Sequence, residues 1–499
     1  MQRVRHRQLE LAVAANPPKG GRGKAGVLGI PEAKAWLRHI AGAKGPNDLA
    51  AEVIDTGRLL ERIASGPVMA QALLNVAANK GAPGEDGQPV EEVVSNVRSL
   101  LPKLQHALLT GSYRPGDVRR VWIPKPGGKG QRGLGIPNVI DRWVQEATRL
   151  VLEPIFEPLF HGSSHGFRPK RGAQTAIAEA KRYVEEGHSV VVDLDLSKFF
   201  DRVNWQRLLA RLAQRVSDKR VLSLIHCMLK AKVVMPDGTK IRVVEGTPQG
   251  GPLSPLLSNV VLDELDWELD RRGLRFVRYA DDANIYVRSR RAGERVMESV
   301  RRFIEGRLRL KINEEKSSVS HPGKVHFLGF RLVTLRDGSV HVYLSERSHR
   351  RIMQRIGELT PRTWGNSLEA CIEQADAYLR GWEAYFDLCS RPAASRWPHY
   401  DAHLRRRLRM IVIHQRKRPR YLYRHLKRRG VSKDSAAATA WSRQGIWAKS
   451  NMRGMHRAYP NAWFAERLMS LWETWKRRHP RQSDIQPVID GQQYLLALG

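Results

Sequence analysis

Apolar residues recur at helical spacing in the first part of the chain. From residue 55 onward these residues fall on one face of successive turns, at Leu59, Leu60, Ile63, Val68, Leu73 and Val76. A glycine-rich stretch at 80–87 ends this pattern. Residues 119–123 then predict a short strand that enters a second glycine-rich stretch at 126–133, and helical spacing resumes over 141–158.

Three later segments predict strands, and two of these contain acids. Residues 189–196 alternate between apolar and acidic side chains, 276–287 are rich in β-branched and aromatic residues around a charged centre, and 327–333 form a third run. A strand interior disfavours Asp, and a buried carboxylate is costly unless it is paired or bound to a metal. The acids in these strands therefore need a chemical explanation.

Beyond about residue 350 the pattern turns helical and strongly basic. Residues 401–480 hold 21 Lys and Arg against 4 Asp and Glu, a local charge of +17 within a total of +35. So strong a positive field favours a polyanionic partner, which releases counterions to each neutralising Lys or Arg, and it offers little to an enzyme of small metabolites. The charge therefore predicts nucleic acid as the partner.

The cysteines and the first residues of the chain limit further which classes of protein fit the sequence. Cys227, Cys371 and Cys389 are far apart, which excludes a disulfide scaffold and a cysteine-based zinc module and suits a reducing compartment. No stretch approaches the roughly 20 apolar residues of a membrane helix, so no membrane partner is predicted. Residues 1–54 are predicted to be a flexible basic leader, although an Arg-rich start is also typical of an organellar transit peptide.

Acids on two predicted strands form the candidate reactive centre. Asp195 lies on the first strand, and Asp281 and Asp282 lie on the second. Carboxylates that converge from adjacent antiparallel strands can hold two Mg²⁺ ions for phosphoryl transfer. A turn is the alternative for an Asp-Asp pair, but the flanking β-branched and aromatic residues favour a strand. Asp193 shares a strand face with Asp195, and spacing alone leaves open which of the two binds metal.

The chain resembles reverse transcriptases encoded by bacterial group II introns, most closely those of the C class, over about residues 55–475. Tyr279-Ala-Asp-Asp282 and Asp195-Leu-Ser-Lys-Phe-Phe-Asp201 carry the resemblance first. Further blocks follow the order of the family: Gly84-Glu-Asp-Gly87, Ile123-Pro-Lys-Pro-Gly-Gly128, Leu134-Gly-Ile-Pro137, Ser164-His-Gly-Phe-Arg-Pro169, Gly246-Thr-Pro-Gln-Gly-Gly-Pro-Leu-Ser-Pro255, Leu310-Lys-Ile-Asn-Glu-Glu-Lys316 and Phe327-Leu-Gly-Phe330.

The resemblance implies roles for individual residues. It makes Asp195, Asp281 and Asp282 the catalytic acids and the ligands of two Mg²⁺ ions. Phe200 matches the bulky side chain that excludes ribonucleotides. Lys125 and Arg132 match the residues that hold the incoming dNTP triphosphate. Lys129 is the alternative to Arg132, because the loop between Gly128 and Leu134 is one residue longer than in similar members of the family. Gln249 matches a residue that lines the nucleotide pocket.

The C-terminal half resembles the thumb, or maturase domain, of the same family. The matching segments are 379–386, 404–409 and 415–420, and Trp382 is predicted to belong to the core. Arginines clustered on a helix suit an RNA surface, and the predicted RNA-binding residues are Arg405, Arg406, Arg407, Arg416 and Arg418. Many relatives end in an endonuclease module with paired cysteines and histidines. No cysteine follows Cys389, so no endonuclease domain is expected.

These observations together predict an α+β right-hand polymerase. Fingers and palm with an N-terminal extension are expected over 55–345, a helical thumb or maturase domain over 346–440, and a small basic DNA-binding segment over 441–499. The expected function is RNA-directed DNA synthesis, with binding of the parent intron RNA to promote splicing and mobility by target-primed reverse transcription.

The expected partners are group II intron RNA, an RNA template, a DNA primer or target, and dNTPs, in the bacterial cytoplasm; a homodimer stays open. Two rival functions also stay open. One is a splicing cofactor with an inactive polymerase, which the three retained acids disfavour. The other is a polymerase domesticated for repair or phage defence.

Overall fold

The computed structural model describes residues 28–42, 56–124, 130–361, 365 and 367–480. The chain divides into two compact units. The first unit lies within 1–176 and 192–319, and the second lies within 177–191 and 320–499.

The first unit is built mainly of helices whose starts follow ordinary capping chemistry. Asn204, Asp218 and Ser289 each accept a hydrogen bond from a backbone N–H in the first turn of the helix that follows them. Helix α7 begins in this unit and runs into the second. In chain order the helices are α1 Ile30–Ala41, α2 Leu59–Ile63, α3 Gly66–Ala78, α4 Val90–Ser95, α5 Val97–Leu109, α6 Val139–Phe156, α7 Ala173–Glu185, α8 Trp205–Ala213, α9 Lys219–Leu229, α10 Ser254–Arg271 and α11 Arg290–Phe303.

Two sheets complete the first unit. The fingers sheet has the strand order β2-β1-β4-β5, from β1 Val118–Pro124, β2 Gln131–Ile136, β4 Val233–Val234 and β5 Lys240–Ile241. The palm sheet has the strand order β6-β7-β3-β8, from β3 Val190–Leu194, β6 Arg275–Tyr279, β7 Asp282–Val287 and β8 Ser318–Ser320. Residues 192–194 of β3 and 318–319 of β8 belong to this unit.

The second unit joins a hairpin to a helical bundle. Strands β9 and β10 pair antiparallel, and the fully buried Trp397 and Trp475 lie at the centre of the bundle. Trp382 is also buried, as predicted. The elements are β9 Phe330–Thr334, β10 Val340–Leu344, α12 Glu346–Leu359, α13 Leu368–Phe386, α14 Arg391–Ala394, α15 Trp397–Gln415, α16 Pro419–Arg428, α17 Lys433–Ala440, α18 Ile446–Lys449, α19 Arg453–Ala458, α20 Asn461–Ala465 and α21 Leu471–Arg478.

The structure corrects part of the predicted leader. Residues 28–42 are not a flexible leader, because they contain helix α1, which buries Ala33 and Leu37 completely. The remainder of the predicted leader, at 1–27 and 43–54, lies outside the described residues. The second compact unit also includes the hairpin of β9 and β10 at 330–344, while the predicted boundary between palm and thumb at 346 stays a prediction.

Most predicted elements are present. Helices α2, α3 and α6 and strands β1 and β3 lie where the apolar spacing predicts them, and the region beyond 346 is helical. No helix in the described part of the chain is both long and apolar enough to cross a membrane.

Candidate active site

Asp195 directly follows the last residue of strand β3, and its backbone is held by the segment 311–317. Its N–H donates to Oγ of Ser317 at 3.1 Å, and its C=O accepts from the N–H of Asn313 at 2.8 Å. In the side chain, Oδ2 accepts from Nζ of Lys316 at 2.9 Å. The backbone of Asp195 is therefore fixed, and its carboxylate is paired with an exposed lysine.

Asp281 lies in the tight turn between β6 and β7. Tyr279 pairs with Asp282 across the hairpin, so Ala280 and Asp281 form a two-residue turn. Ala280 has a φ of +58°, in the left-handed region that non-glycine residues seldom occupy. The prediction of one continuous strand through both acids is therefore wrong. Its β-branched and aromatic residues belong to two strands, and Asp281 is carried at their shared tip.

The acids lie close enough to act on one another electrostatically. Burial, together with the charges of Asp282 and Asp195, raises the pKa of Asp193 to about 7. Burial, together with the charges of Asp281 and Asp195, likewise raises the pKa of Asp282 to about 6. Burial also raises the pKa of Asp281, while the positive charges of Arg132 and Lys316 oppose the rise. The structure thus brings the three predicted acids together with Asp193.

The donor set fits a hard divalent cation. Carboxylate oxygens are the ligands that Mg²⁺ prefers, and neighbouring carboxylates whose pKa values rise through burial and mutual repulsion gain from a counter-charge. The fit is one of donor chemistry, because among the described residues no three His, Cys, Asp or Glu side chains are arranged so that they could hold a metal ion together. The ammonium of Lys316 instead neutralises part of the charge at Asp195.

Phe200 and Phe199 have different surroundings although they are adjacent. Phe199 is buried at 2% exposure, whereas Phe200 is partly exposed. The C=O of Phe200 accepts from the N–H of Thr247 at 2.6 Å, and Gly246 packs so closely on the backbone of residues 200–201 that a Cβ would clash. The Gly-Thr-Pro-Gln-Gly segment therefore fixes the backbone of Phe200 and leaves its ring accessible.

Gln249 and Arg132 are linked through strand β2. The C=O of Gln249 accepts from the N–H of Gly135 at 2.7 Å, and Gly250, at a φ of +129°, lies against the carbonyl of the same Gly135. Arg132 is exposed on β2, and its charge acts on both Asp281 and Asp282. Lys125 and its neighbour Lys129 lie outside the described residues, so their roles remain predictions.

Two of the five predicted RNA-binding arginines have internal partners instead. Arg406 donates to the C=O of Trp447 at 3.0 Å and stacks over its ring at 4.0 Å. Arg407 donates to the backbone C=O of Gly357 at 3.1 Å and of Thr360 at 2.9 Å. Both guanidinium groups therefore support the helical bundle.

The other three predicted arginines differ among themselves. Burial lowers the pKa of Arg405. Arg416 donates to the C=O of Val412 at 3.3 Å, and Arg418 is exposed. The exposed basic residues that follow Arg418 on helix α16 are Arg420, Arg424, Lys427 and Arg428.

Sequence reasoning missed Lys316 as a member of the site. Lys316 ends the block 310–316 and so was part of the resemblance, but nothing in its spacing distinguishes it from other surface lysines. Its contact to Asp195 depends on the segment 311–313 pairing with residues 195–197.

Comparison with known proteins gives two family matches and several relatives. Residues 123–332 match the family described as reverse transcriptase (RNA-dependent DNA polymerase), and residues 349–430 match the maturase-specific domain of group II introns. Protein YkfC of Escherichia coli K12 is 33% identical over 356 residues, which span 63% of this chain and 91% of that protein. The group II intron-encoded protein LtrA of Lactococcus lactis subsp. cremoris is 29% identical over 370 residues, which span 61% of this chain and 59% of LtrA.

Proposed function

The chain belongs to the family of group II intron-encoded reverse transcriptases that carry a maturase domain, and from this premise we propose that it is an RNA-directed DNA polymerase that works with two Mg²⁺ ions. We further propose that it binds its parent intron RNA to promote splicing and intron mobility by target-primed reverse transcription. The convergence of Asp195, Asp281 and Asp282 in the first unit carries the polymerase proposal.

Asp195, Asp281 and Asp282 are the residues that would hold the Mg²⁺ ions. When bound, such ions make a primer 3′-hydroxyl a better nucleophile and neutralise charge on the leaving pyrophosphate. Lys316 donates to Oδ2 of Asp195 and would compete with an ion for that oxygen. Lys316 is well exposed and lies on the segment that holds the Asp195 backbone, so it can leave the carboxylate without disturbing that backbone.

The surrounding residues position the dNTP. The charge of Arg132 acts on Asp281 and Asp282, and its guanidinium would donate charge-assisted hydrogen bonds to the triphosphate. Lys125 is proposed to share this task. The accessible ring of Phe200 would lie against the sugar and leave no room for a 2′-hydroxyl, and Gln249 would line the same pocket.

The basic helical unit is proposed to bind intron RNA. Exposed guanidinium and ammonium groups on helix α16 suit phosphate contacts, and the exposed rings of Tyr421 and Trp441 suit stacking on unpaired bases. RNA held in this way would be stabilised in its splicing-competent fold, which is the action proposed for the maturase domain.

Primer extension and splicing with the full chain test the two halves of the proposal separately. An RNA template, an annealed DNA primer, dNTPs and Mg²⁺ should give extended DNA, and precursor RNA that contains the parent intron should splice faster with protein. Splicing without extension would indicate the splicing-cofactor alternative. Extension with no effect on splicing would favour the domesticated polymerase.

A further inference from the structure

Arg278 is buried inside the first unit. It lies on strand β6, one residue before Tyr279, in the hairpin of β6 and β7 that carries Asp281 in its turn. Its side chain is 1% exposed, and that of its partner Asp266 on helix α10 is 0% exposed. A buried guanidinium is costly unless all its N–H groups find acceptors. Arg278 satisfies this condition within a small group of residues that the reaction itself does not use.

All five N–H groups of the Arg278 guanidinium have an acceptor. Nε donates to Oδ1 of Asp266 at 2.7 Å, and Nη2 donates to Oδ2 of Asp266 at 2.5 Å. Nη2 also donates to Oγ of Ser164 at 2.7 Å. Nη1 donates to Oδ1 of Asn259 at 3.0 Å and to the C=O of Ala280 at 2.8 Å. The last bond ends on the turn that carries Asp281.

The segment 163–166 also contacts the hairpin at Arg278 and Ala280. The N–H of Arg278 donates to the C=O of Ser163, and the C=O of Arg278 accepts from the N–H of His165. Asn259 donates from Nδ2 to the C=O of Gly166 at 2.9 Å. Gly166 lies so close to the N–H of Ala280 that a Cβ would clash. The segment 163–166 therefore presses on the turn whose carbonyl Arg278 holds.

We propose that Arg278 is a positioning residue for the polymerase reaction. Bonded to Asp266, it fixes the carbonyl of Ala280 and thereby the left-handed turn that presents Asp281. Ala280 at a φ of +58° has no intrinsic preference for this turn, so a surrounding structure must impose it. The arginine guanidinium can hold the turn, because it binds Asp266 through two N–H groups and has three more for the other acceptors. A lysine ammonium has only three donors in total and cannot bind all five acceptors.

This inference rests on the proposed function, and Arg278→Lys tests it in the full chain. In metal-free protein, hydrogen–deuterium exchange of the segment 276–287 should rise in the variant. In primer extension, kcat should fall about ten-fold or more while KM for dNTP changes little, and half-maximal extension should need more Mg²⁺. Arg409→Lys is the matched control, because Arg409 is also buried and donates to the C=O of Tyr459, but it lies in the second unit.

Ser164→Ala keeps the test decisive if Arg278→Lys does not fold. It removes one acceptor and leaves the Asp266 pair intact, so it should raise exchange of the hairpin and lower kcat by about three-fold. Hairpin exchange and Mg²⁺ dependence equal to wild type in a folded Arg278 or Ser164 variant would overturn the inference, as would an equal change in Arg409→Lys. A wild-type chain that extends no primer would instead refute the proposed function, and the exchange comparison would still decide the role of Arg278 in the turn.

Discussion

Nζ of Lys316 lies 2.9 Å from Oδ2 of Asp195. The Lys316 side chain is 62% exposed and that of Asp195 is 27% exposed, so water screens the pair. An ion pair of this kind contributes only about 0–1 kcal/mol. A divalent cation bound at Asp195 would therefore displace the lysine at little energetic cost, and we expect Lys316 to act as a weak competitor for such an ion.

Removing this competitor should strengthen Mg²⁺ binding. In Lys316→Gln, we expect the Mg²⁺ concentration for half-maximal primer extension to fall by up to about five-fold, the factor that corresponds to a pair of about 1 kcal/mol. Lys311→Gln is the matched control, because Lys311 is an exposed lysine of the same segment. An unchanged or higher Mg²⁺ requirement in Lys316→Gln would show that the lysine does not compete with the ion.

Asp281→Asn should abolish nucleotide addition and leave RNA binding nearly unchanged. A neutral amide is a poor ligand for Mg²⁺, and the rate should fall by at least about a hundred-fold. RNA affinity depends on basic residues elsewhere, so binding measured on the same preparation is the internal control. Extension at more than about a hundredth of the wild-type rate would refute the ligand assignment.

Phe200→Val should admit ribonucleotides. Shrinking an accessible ring opens space for a 2′-hydroxyl, and discrimination between dNTP and NTP should fall about ten-fold or more if the clash is worth more than about 1.4 kcal/mol. Phe199→Val is the control, because the loss of this buried ring should lower the stability of the protein without changing the discrimination between dNTP and NTP. A fall in discrimination in Phe199→Val alone would move the steric gate to that residue.

The sequence was sufficient to predict which acids converge, but not how they are held. Asp195, Asp281 and Asp282 lie in motifs that follow the order of the family, and this order was enough to identify them as acids of one site. The turn at Ala280 escaped prediction because no glycine or asparagine marks it; buried contacts impose its conformation instead of local preference. The contacts of Arg406 with Trp447 could not be predicted for a related reason, since a sequence does not distinguish a guanidinium bonded to a carbonyl from one that faces solvent, and RNA binding by Arg406 stays a prediction.

Acidification should weaken the second unit through His425. Burial, together with the charges of Arg416, Arg429 and Arg428, lowers the pKa of His425 to about 4, below its ordinary value of 6.5. Between these two pH values, the unfolded chain therefore binds a proton at His425 that the folded chain does not bind. The stability contributed by neutral His425 is present above pH 6.5 and is lost as the pH falls toward 4.

His425→Gln should reduce this pH dependence. The thermal unfolding midpoint, followed by tryptophan fluorescence, should fall less between pH 7 and pH 5 in the variant than in wild type. At pH 7 the variant should be less stable, because it lacks the 2.8 Å hydrogen bond between His425 Nε2 and the Tyr459 hydroxyl and the stacking of the two rings. An equal fall with pH in both proteins would show that His425 does not carry the effect.

The exposed basic face of helix α16 should account for much of the salt dependence of intron binding. It consists of Arg420, Arg424, Lys427 and Arg428 on the helix, together with Arg418, which directly precedes the first helical residue, Pro419. Neutralising all five to Gln should weaken binding and flatten the plot of log affinity against log salt, by about 0.7 to 0.9 for each phosphate that is no longer neutralised. Extension of a short primer on a generic template should suffer less, because the acids are untouched. The measurement is binding of the parent intron at several salt concentrations beside primer extension.

Arg406→Gln with Arg407→Gln is the matched control, since both arginines belong to the basic region but are bonded to carbonyls of their own unit. This pair of changes should lower the unfolding midpoint and leave the salt slope of the folded protein as in wild type. If the control flattens the slope as much as the five changes on α16, the phosphate-binding residues lie on helix α15 after all. If neither set changes the slope or the affinity, the basic region is a solvated surface, and intron RNA must bind elsewhere on the chain.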